Sequence, residues 1–86
     1  MRTIYKETLE LRHETQIKQL PDKAKVVKVN IQNGNICFWF DCDSNEPLVH
    51  RCFEVRGTGH EVTENSIYVG TCQTTNGFFV WHVFEV

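Results

Sequence analysis

Apolar and polar residues alternate along most of this chain, as they do in β-strands that bury one face. The clearest example is Ala24–Gln32, where Val27, Val29 and Ile31 are predicted to share one face. No segment combines helical periodicity with capping residues. The pattern predicts an all-β, mostly antiparallel single domain over residues 1–86, a small sandwich or barrel of about six to seven strands joined by hairpins. The predicted strands are Arg2–Leu11, Gln16–Leu20, Ala24–Gln32, Ile36–Cys42, Leu48–Arg56, Ile67–Gln73 and Phe78–Val86.

Two Asn-Gly dipeptides mark predicted hairpin turns, because Asn and Gly readily adopt the positive φ of a two-residue turn. Asn33-Gly34 is predicted to join the third strand to the fourth, and Asn76-Gly77 the sixth to the seventh. The seventh predicted strand is the most aromatic segment of the chain. We therefore expect it near the middle of its sheet.

The aromatic residues are numerous for a chain that can form only one small core. Aromatic residues make up 12% of the 86 residues, and a single thin sheet cannot cover all of them. Trp39, Phe79 and Trp81 are therefore predicted to form an interface of a homo-oligomer, a dimer or higher. A closed barrel that hides these side chains is the alternative.

The charges are balanced and interspersed, with a formal net charge of −2. A groove for a long nucleic acid normally carries a basic surplus, so we expect no such partner, although small anions remain open. The chain has neither an apolar run suited to a signal peptide nor one long enough to cross a bilayer. The sequence therefore predicts a cytoplasmic protein without a membrane partner.

Four cysteines are interpreted as reduced thiols that pack as small apolar residues. The closest potential ligand pairs are Cys37 with Cys42 and His50 with Cys52. Neither pair has the spacing of a zinc knuckle. We therefore expect no metal and no cofactor.

The best candidate for a ligand site is the segment Arg56-Gly57-Thr58-Gly59-His60, which follows a predicted strand. Glycines allow successive backbone N–H groups to converge on an anion. Thr58 would add a hydroxyl, and Arg56 and His60 would add charge-assisted donors for a phosphate or carboxylate. The alternative is a β-bulge or tight connection that needs glycine only for its backbone dihedrals.

The remaining polar residues do not indicate catalysis. His82 is predicted to be a hydrogen-bonded core or interface residue, since it lies in an apolar strand. Asp41 and Asp43 share a strand face but are interpreted as caps of a solvated loop. No third group that would orient a nucleophile–base pair is evident in the sequence. We therefore expect no catalytic residues and no enzymatic activity.

Several short segments occur in a definite order along nearly the whole chain: Arg2–Lys6, Leu20-Pro21, Ala24–Val26, Gln32–Gly34, Gly57–His60, Tyr68–Thr71 and Val80–Glu85. In this order they resemble a family of short uncharacterised bacteriophage and prophage proteins that carries only a domain-of-unknown-function label. The cysteines and Phe38-Trp39-Phe40 depart from that resemblance. It implies a small phage-encoded protein in the host cytoplasm, and it implies no activity and no catalytic residues.

The resemblance leaves several non-enzymatic phage functions open. The favoured one is an anti-defence sponge that binds and sequesters a nucleotide-type immune signal, with the Gly57–His60 loop holding phosphate and aromatic residues stacking on the base. The second is an anti-CRISPR-like inhibitor that contacts a host defence protein. A net charge of −2 does not provide the acidic surface of a DNA mimic, but an apolar contact remains open. The third is a minor structural or assembly protein of the virion.

Overall fold

The computed structural model describes residues 1–86 and contains seven β-strands and no helix. All paired strands are antiparallel, so the predicted all-β, antiparallel class is confirmed. Each strand begins and ends within two residues of its predicted bounds. The strands are β1 (Arg2–Leu9), β2 (Gln16–Pro21), β3 (Lys25–Gln32), β4 (Asn35–Asp43), β5 (Leu48–Gly57), β6 (Ile67–Gln73) and β7 (Val80–Glu85).

The strands form two separate sheets, which makes the fold a sandwich and not a closed barrel. One sheet has the order β1-β4-β3, and the other has the order β2-β5-β7-β6. The most aromatic predicted strand, β7, lies between β5 and β6, as expected for a strand near the middle of its sheet.

The core lies between the two sheets and is built around the central strands β4 and β5. Phe38 of β4 and Phe53 of β5 are fully buried, and their ring centroids are 4.7 Å apart. Val83 of β7 and Leu20 of β2 are also fully buried. Each such side chain contributes about 1.5–3 kcal/mol by leaving water. The core therefore holds the two sheets face to face.

The turn between β3 and β4 is the predicted two-residue hairpin. Asn33 and Gly34 have φ values of 53° and 79°, and Gln32 pairs with Asn35. Positive φ at both central residues is the signature of a type I′ turn, whose twist matches that of the flanking strands. This local prediction is confirmed.

The connection between β6 and β7 differs from the prediction. Gln73 pairs with Val80, so residues 74–79 form a longer loop. The Asn76 side-chain oxygen accepts hydrogen bonds from the Phe78 N–H, at 2.9 Å, and from the Thr74 hydroxyl, at 2.5 Å. Asn76 is thus used as a side-chain acceptor, a common alternative role of asparagine in turns. The predicted start of the last strand at Phe78 is wrong, and Phe78 and Phe79 lie in the loop.

A β-bulge in β3 changes which valine faces the core. The pairing with β4 shifts between Val26 and Lys28, and Val27 is 53% exposed. Val26, Val29 and Ile31 pack against the core instead. The prediction that Val27 shares the buried face is wrong, because a bulge inserts one unpaired residue and reverses the alternation before it.

The two sheets approach each other closely along the edge strands β3 and β6. A Cβ on Gly70 of β6 would lie 2.5 Å from the Val29 Cγ2 of β3. Any larger residue at position 70 would force these strands apart. On the opposite side, Lys18 of β2 and Glu7 of β1 form a loose ion pair at 4.0 Å.

The cysteines are free thiols, and three of them are buried. Burial raises the pKa of the Cys42 and Cys72 thiols above its ordinary value. The structure contains no helix of the length and apolar character that spanning a bilayer requires.

Candidate functional site

The Gly57–His60 segment forms a compact turn at the end of β5. The His60 N–H donates to the Gly57 carbonyl at 3.1 Å, and the Gly57 N–H donates to the His60 Nδ1 at 3.2 Å. Gly59 has a φ of 87°, which glycine adopts without strain. Two of the predicted anion donors, the N–H groups of Gly57 and His60, are therefore already hydrogen-bonded within the turn. The N–H groups of Thr58 and Gly59 are not used in the turn.

Arg56 does not point toward this turn. Its residue is only 4% exposed, and its Nη2 lies 3.1 Å from the Glu54 carboxylate. Its Nε donates to the Glu61 carbonyl, and its Nη1 donates to the carbonyls of His13 and Val55. Each guanidinium nitrogen is thus engaged by a protein oxygen. Any anion-binding capacity of the turn depends on the other predicted residues.

The Glu54 carboxylate is equally enclosed. It accepts hydrogen bonds from the Thr63 hydroxyl at 2.6 Å and from the Thr15 hydroxyl at 2.7 Å. The Thr63 bond, together with Thr15, Arg56 and nearby His13, holds the pKa of Glu54 below its ordinary value, although burial acts in the opposite direction. This network fastens residues 10–15 and 58–66 onto the outer face of the four-stranded sheet. It is a structural device that positions the loops.

His82 connects the turn to the same sheet face. Its Nε2 lies 2.9 Å from the Thr58 hydroxyl, and its Nδ1 lies 2.9 Å from the Thr71 hydroxyl, which in turn contacts the Tyr68 hydroxyl at 2.6 Å. The predicted hydrogen bonding of His82 is confirmed, but the residue is half-buried on the outer face of the sheet and does not belong to the core. A hydroxyl–imidazole pair also occurs in nucleophilic catalysis, where a third group, commonly a carboxylate, orients the base. Here Thr71 takes that position, and the arrangement is best explained as an anchor for the turn.

A large open cleft lies at the end of the sandwich nearest this turn. It has a volume of about 760 Å³, within the usual range for small-molecule sites. The end of β1, the β3–β4 hairpin and the 74–79 loop surround it. Its apolar wall consists of Leu9, Leu11, Ile31, Ile36, Phe79 and Trp81. Its polar rim includes Thr8, Glu10, Asn35, Thr74 and Thr75. We call this space the end cleft.

Phe79 and Trp81 form an aromatic wall in the end cleft, with their two rings stacked on each other. Their ring centroids are 6.1 Å apart, and their planes differ by only 5°. Phe79 is 57% exposed, whereas Trp81 packs partly against the core. The exposed Phe79 ring is a surface on which a planar ligand can stack.

Trp81 also connects the end cleft to the predicted loop. It lines a smaller hollow of about 160 Å³ together with Gly57, His60, Arg12 and His13. A Cβ on Gly57 would lie 3.2 Å from the Trp81 ring and 2.9 Å from the His60 ring. Glycine at position 57 is therefore required for this close packing. The hollow adds two imidazoles and the Arg12 guanidinium next to the aromatic wall, and the Arg12 Nε lies 2.9 Å from the Glu10 carboxylate.

The predicted site residues are thus only partly brought together. Gly57 and His60 lie around Trp81, and Phe79 lies beside Trp81 in the end cleft. Trp39 lies apart from them, since it is on β4 between the core residues Phe38 and Phe40 and faces the opposite side of that strand. Whether these residues contact a ligand or a second subunit stays a prediction.

Sequence reasoning missed most of the apolar wall, including Leu9, Ile31 and Ile36. These residues follow ordinary strand patterns, and only the fold brings them to one opening. Leu11 was predicted inside the first strand, but β1 ends at Leu9 and Leu11 is 61% exposed beyond it. The sequence therefore contained no signal that Leu11 lines an open surface.

A family model described as a domain of unknown function, DUF7352, matches residues 1–86. No curated protein and no solved structure matches the chain.

Proposed function

We propose that this chain, which belongs to the DUF7352 family, binds a nucleotide-type small molecule in the end cleft and does not change it chemically. The observation that carries the proposal is the open cleft of about 760 Å³ with the parallel rings of Phe79 and Trp81 on its wall. A concave, mainly apolar space with a few polar groups at its rim is the usual form of a small-molecule site.

The geometry supports a ligand with a planar base and a negative charge. The base would stack on the exposed Phe79 ring, and stacking of this kind contributes about 1–3 kcal/mol per base. Trp81 borders both the end cleft and the smaller hollow, so a phosphate on the same ligand would reach Arg12, His13 and His60. The free amides of Thr58 and Gly59 lie in the adjoining turn. Arg56 takes no part in this arrangement.

The phage or prophage origin implied by the resemblance extends the proposal. In that setting the ligand would be a nucleotide-type signal of host immunity, and the protein would act as a sponge in the host cytoplasm. A homo-oligomer would enclose the ligand further, because Leu11 and Phe79 leave one side of the end cleft open. Tight retention of the ligand, without turnover, is the property that such a role requires.

A pair of neighbouring phenylalanines allows a matched test. Phe79 lines the end cleft, whereas Phe78 does not line it and is 81% exposed. We would measure binding of mono-, di- and cyclic nucleotides by titration calorimetry for the wild type, Phe79→Ala and Phe78→Ala. Because one base would lose its stacking partner, Phe79→Ala should weaken nucleotide affinity roughly 5- to 150-fold, whereas Phe78→Ala should weaken it less than about twofold. Equal effects of the two substitutions, or no binding of any nucleotide to the wild type, would refute the proposal.

A protein–protein inhibitor is the second candidate, and one observation favours it. Leu11, Phe78 and Phe79 are 61%, 81% and 57% exposed. Exposed apolar side chains of this size are typical of protein contact surfaces. For such a function Phe78→Ala would weaken partner binding as strongly as Phe79→Ala, which distinguishes this candidate from the nucleotide site.

A further inference from the structure

The outer face of the three-stranded sheet concentrates positive charge in a chain whose net charge is −2. The residues of this face carry four cationic side chains, Arg2, Lys6, Lys25 and Lys28, against two carboxylates, Asp41 and Asp43. Arg2 forms a two-pronged ion pair with Asp41, at distances of 2.6 to 3.2 Å. Lys25 lies opposite Asp41 in the strand register, whereas Lys6 and Lys28 face no carboxylate across the strands. The Lys6 ammonium donates a hydrogen bond to the Gln32 side-chain oxygen at 2.7 Å.

Trp39 lies between these two lysines. In the register of the sheet, Lys6 of β1 and Lys28 of β3 are the direct partners of Trp39 on either side of the central strand β4. Both lysines are exposed, and Trp39 is half-buried on the same face. Adjacent strands are about 4.8 Å apart, so the two lysine Cα atoms are separated by roughly 10 Å with the indole between them. Ile4, 51% exposed, extends the apolar surface beside the indole.

We propose that this face, defined by Lys6, Trp39 and Lys28, binds a short segment of single-stranded nucleic acid, with one base stacked on Trp39 and the flanking phosphates on the two lysines. A charged groove combined with an aromatic side chain is the general means of holding single strands without sequence preference. The overall charge of the chain predicted no long nucleic-acid partner, but a net charge does not describe how charges are sorted onto faces.

The same charges favour an anion over a second copy of this chain. In a two-fold symmetric contact centred on Trp39, the lysines that flank the two indoles would lie close together, which is unfavourable. A base-paired duplex is also disfavoured, because its bases are not free to stack on an indole that lies on a flat sheet surface.

The test uses a labelled oligothymidylate of about ten nucleotides at low ionic strength, followed by fluorescence anisotropy. Lys28→Glu is compared with Lys23→Glu, which lies in the β2–β3 turn near the Arg2–Asp41 pair and not beside Trp39, is also exposed and changes the net charge by the same amount. Lys28→Glu should weaken binding roughly fivefold or more and reduce the salt slope by about 0.7, whereas Lys23→Glu should change affinity by less than about twofold. Lys6→Glu is a second variant that should repeat the Lys28→Glu result.

A direct readout of stacking completes the test. The indole N–H resonance of Trp39, assigned by its loss in Trp39→Phe, should shift when the oligonucleotide is added to the wild-type protein. The proposal is overturned if this resonance does not move under binding conditions, if Lys23→Glu and Lys28→Glu weaken binding equally, or if a duplex of the same length binds as well. Absence of any binding at low ionic strength would also overturn it.

Discussion

Replacing Arg56 by alanine should destabilise the fold, because it would leave the Glu54 carboxylate enclosed without its charge partner. The Glu54 and Arg56 side chains are only 10% and 5% exposed. Breaking a buried pair by removing one partner typically costs about 3–5 kcal/mol. We expect the lower end, about 3 kcal/mol, because loops and not the core cover this pair. The carbonyls of His13 and Glu61 would also lose a donor.

This loss is large for a chain of this length. A domain of 86 residues has a total stability of about 4–13 kcal/mol. At about 4–8 °C per kcal/mol, the midpoint of thermal unfolding should fall by about 12–24 °C. The assay is urea unfolding followed by circular dichroism, with thermal unfolding as a second measure.

Arg2→Ala is the matched control. It makes the same substitution in an ion pair with Asp41, but the Arg2 side chain is 83% exposed, and we expect little change in stability. The double variant Glu54→Gln, Arg56→Ala should recover part of the loss, since no unpaired charge then remains enclosed. A free energy of unfolding for Arg56→Ala within about 1 kcal/mol of the wild type would refute the assignment of this pair as a structural clamp.

Three further outcomes follow from the same contacts. The folded-state pKa of Glu54 is lowered, so its contribution to stability is present above the unfolded pKa of about 4.3 and is lost as the pH falls through the folded pKa. The acid-induced loss of stability should therefore be shallower in Glu54→Gln than in the wild type. Gly70→Ala should destabilise by about 1–3 kcal/mol through its clash with Val29, and the penalty should shrink in a Val29→Ala background, measured by urea unfolding. A Cβ at Gly34 would meet no atom within 4 Å, so Gly34→Ala should cost free energy only through the positive φ of this residue, about 1–2 kcal/mol. In contrast to Gly70→Ala, this cost should not shrink in a Val29→Ala background.

The parts of the fold that local chemistry determines could be predicted from the sequence. Alternation located all seven strands, and Asn33-Gly34 specified its own turn because both residues accept positive φ. The bulge at Val27 could not be predicted, since strict alternation from Val29 favours Val27, and the adjacent apolar Val26 does not by itself indicate a bulge. Asn76-Gly77 carried the same hairpin signal as Asn33-Gly34, but there the asparagine side chain accepts backbone and hydroxyl hydrogen bonds in a longer loop.

The candidate site was predictable only in outline. The Gly57–His60 turn was evident from its glycines, but the direction of Arg56 depends on loops that are distant in sequence and cover the sheet face. The end cleft is formed by three separate parts of the chain, so no local pattern could indicate it. The sequence indicated Trp39 only as one of several aromatic residues. Lys6 and Lys28 are distant from it along the chain and come to flank it only through strand pairing.

The most direct test of nucleotide binding in the end cleft is a two-dimensional NMR titration of the isotope-labelled protein with the tightest-binding nucleotide of the calorimetry panel. We predict shifts confined to the walls of the end cleft and its adjoining hollow, above all at Leu11, Phe79, Trp81 and His60. Shifts that map only to Trp39 and its flanking lysines, or that leave Phe79 and Trp81 unmoved at saturation, would contradict binding in the end cleft.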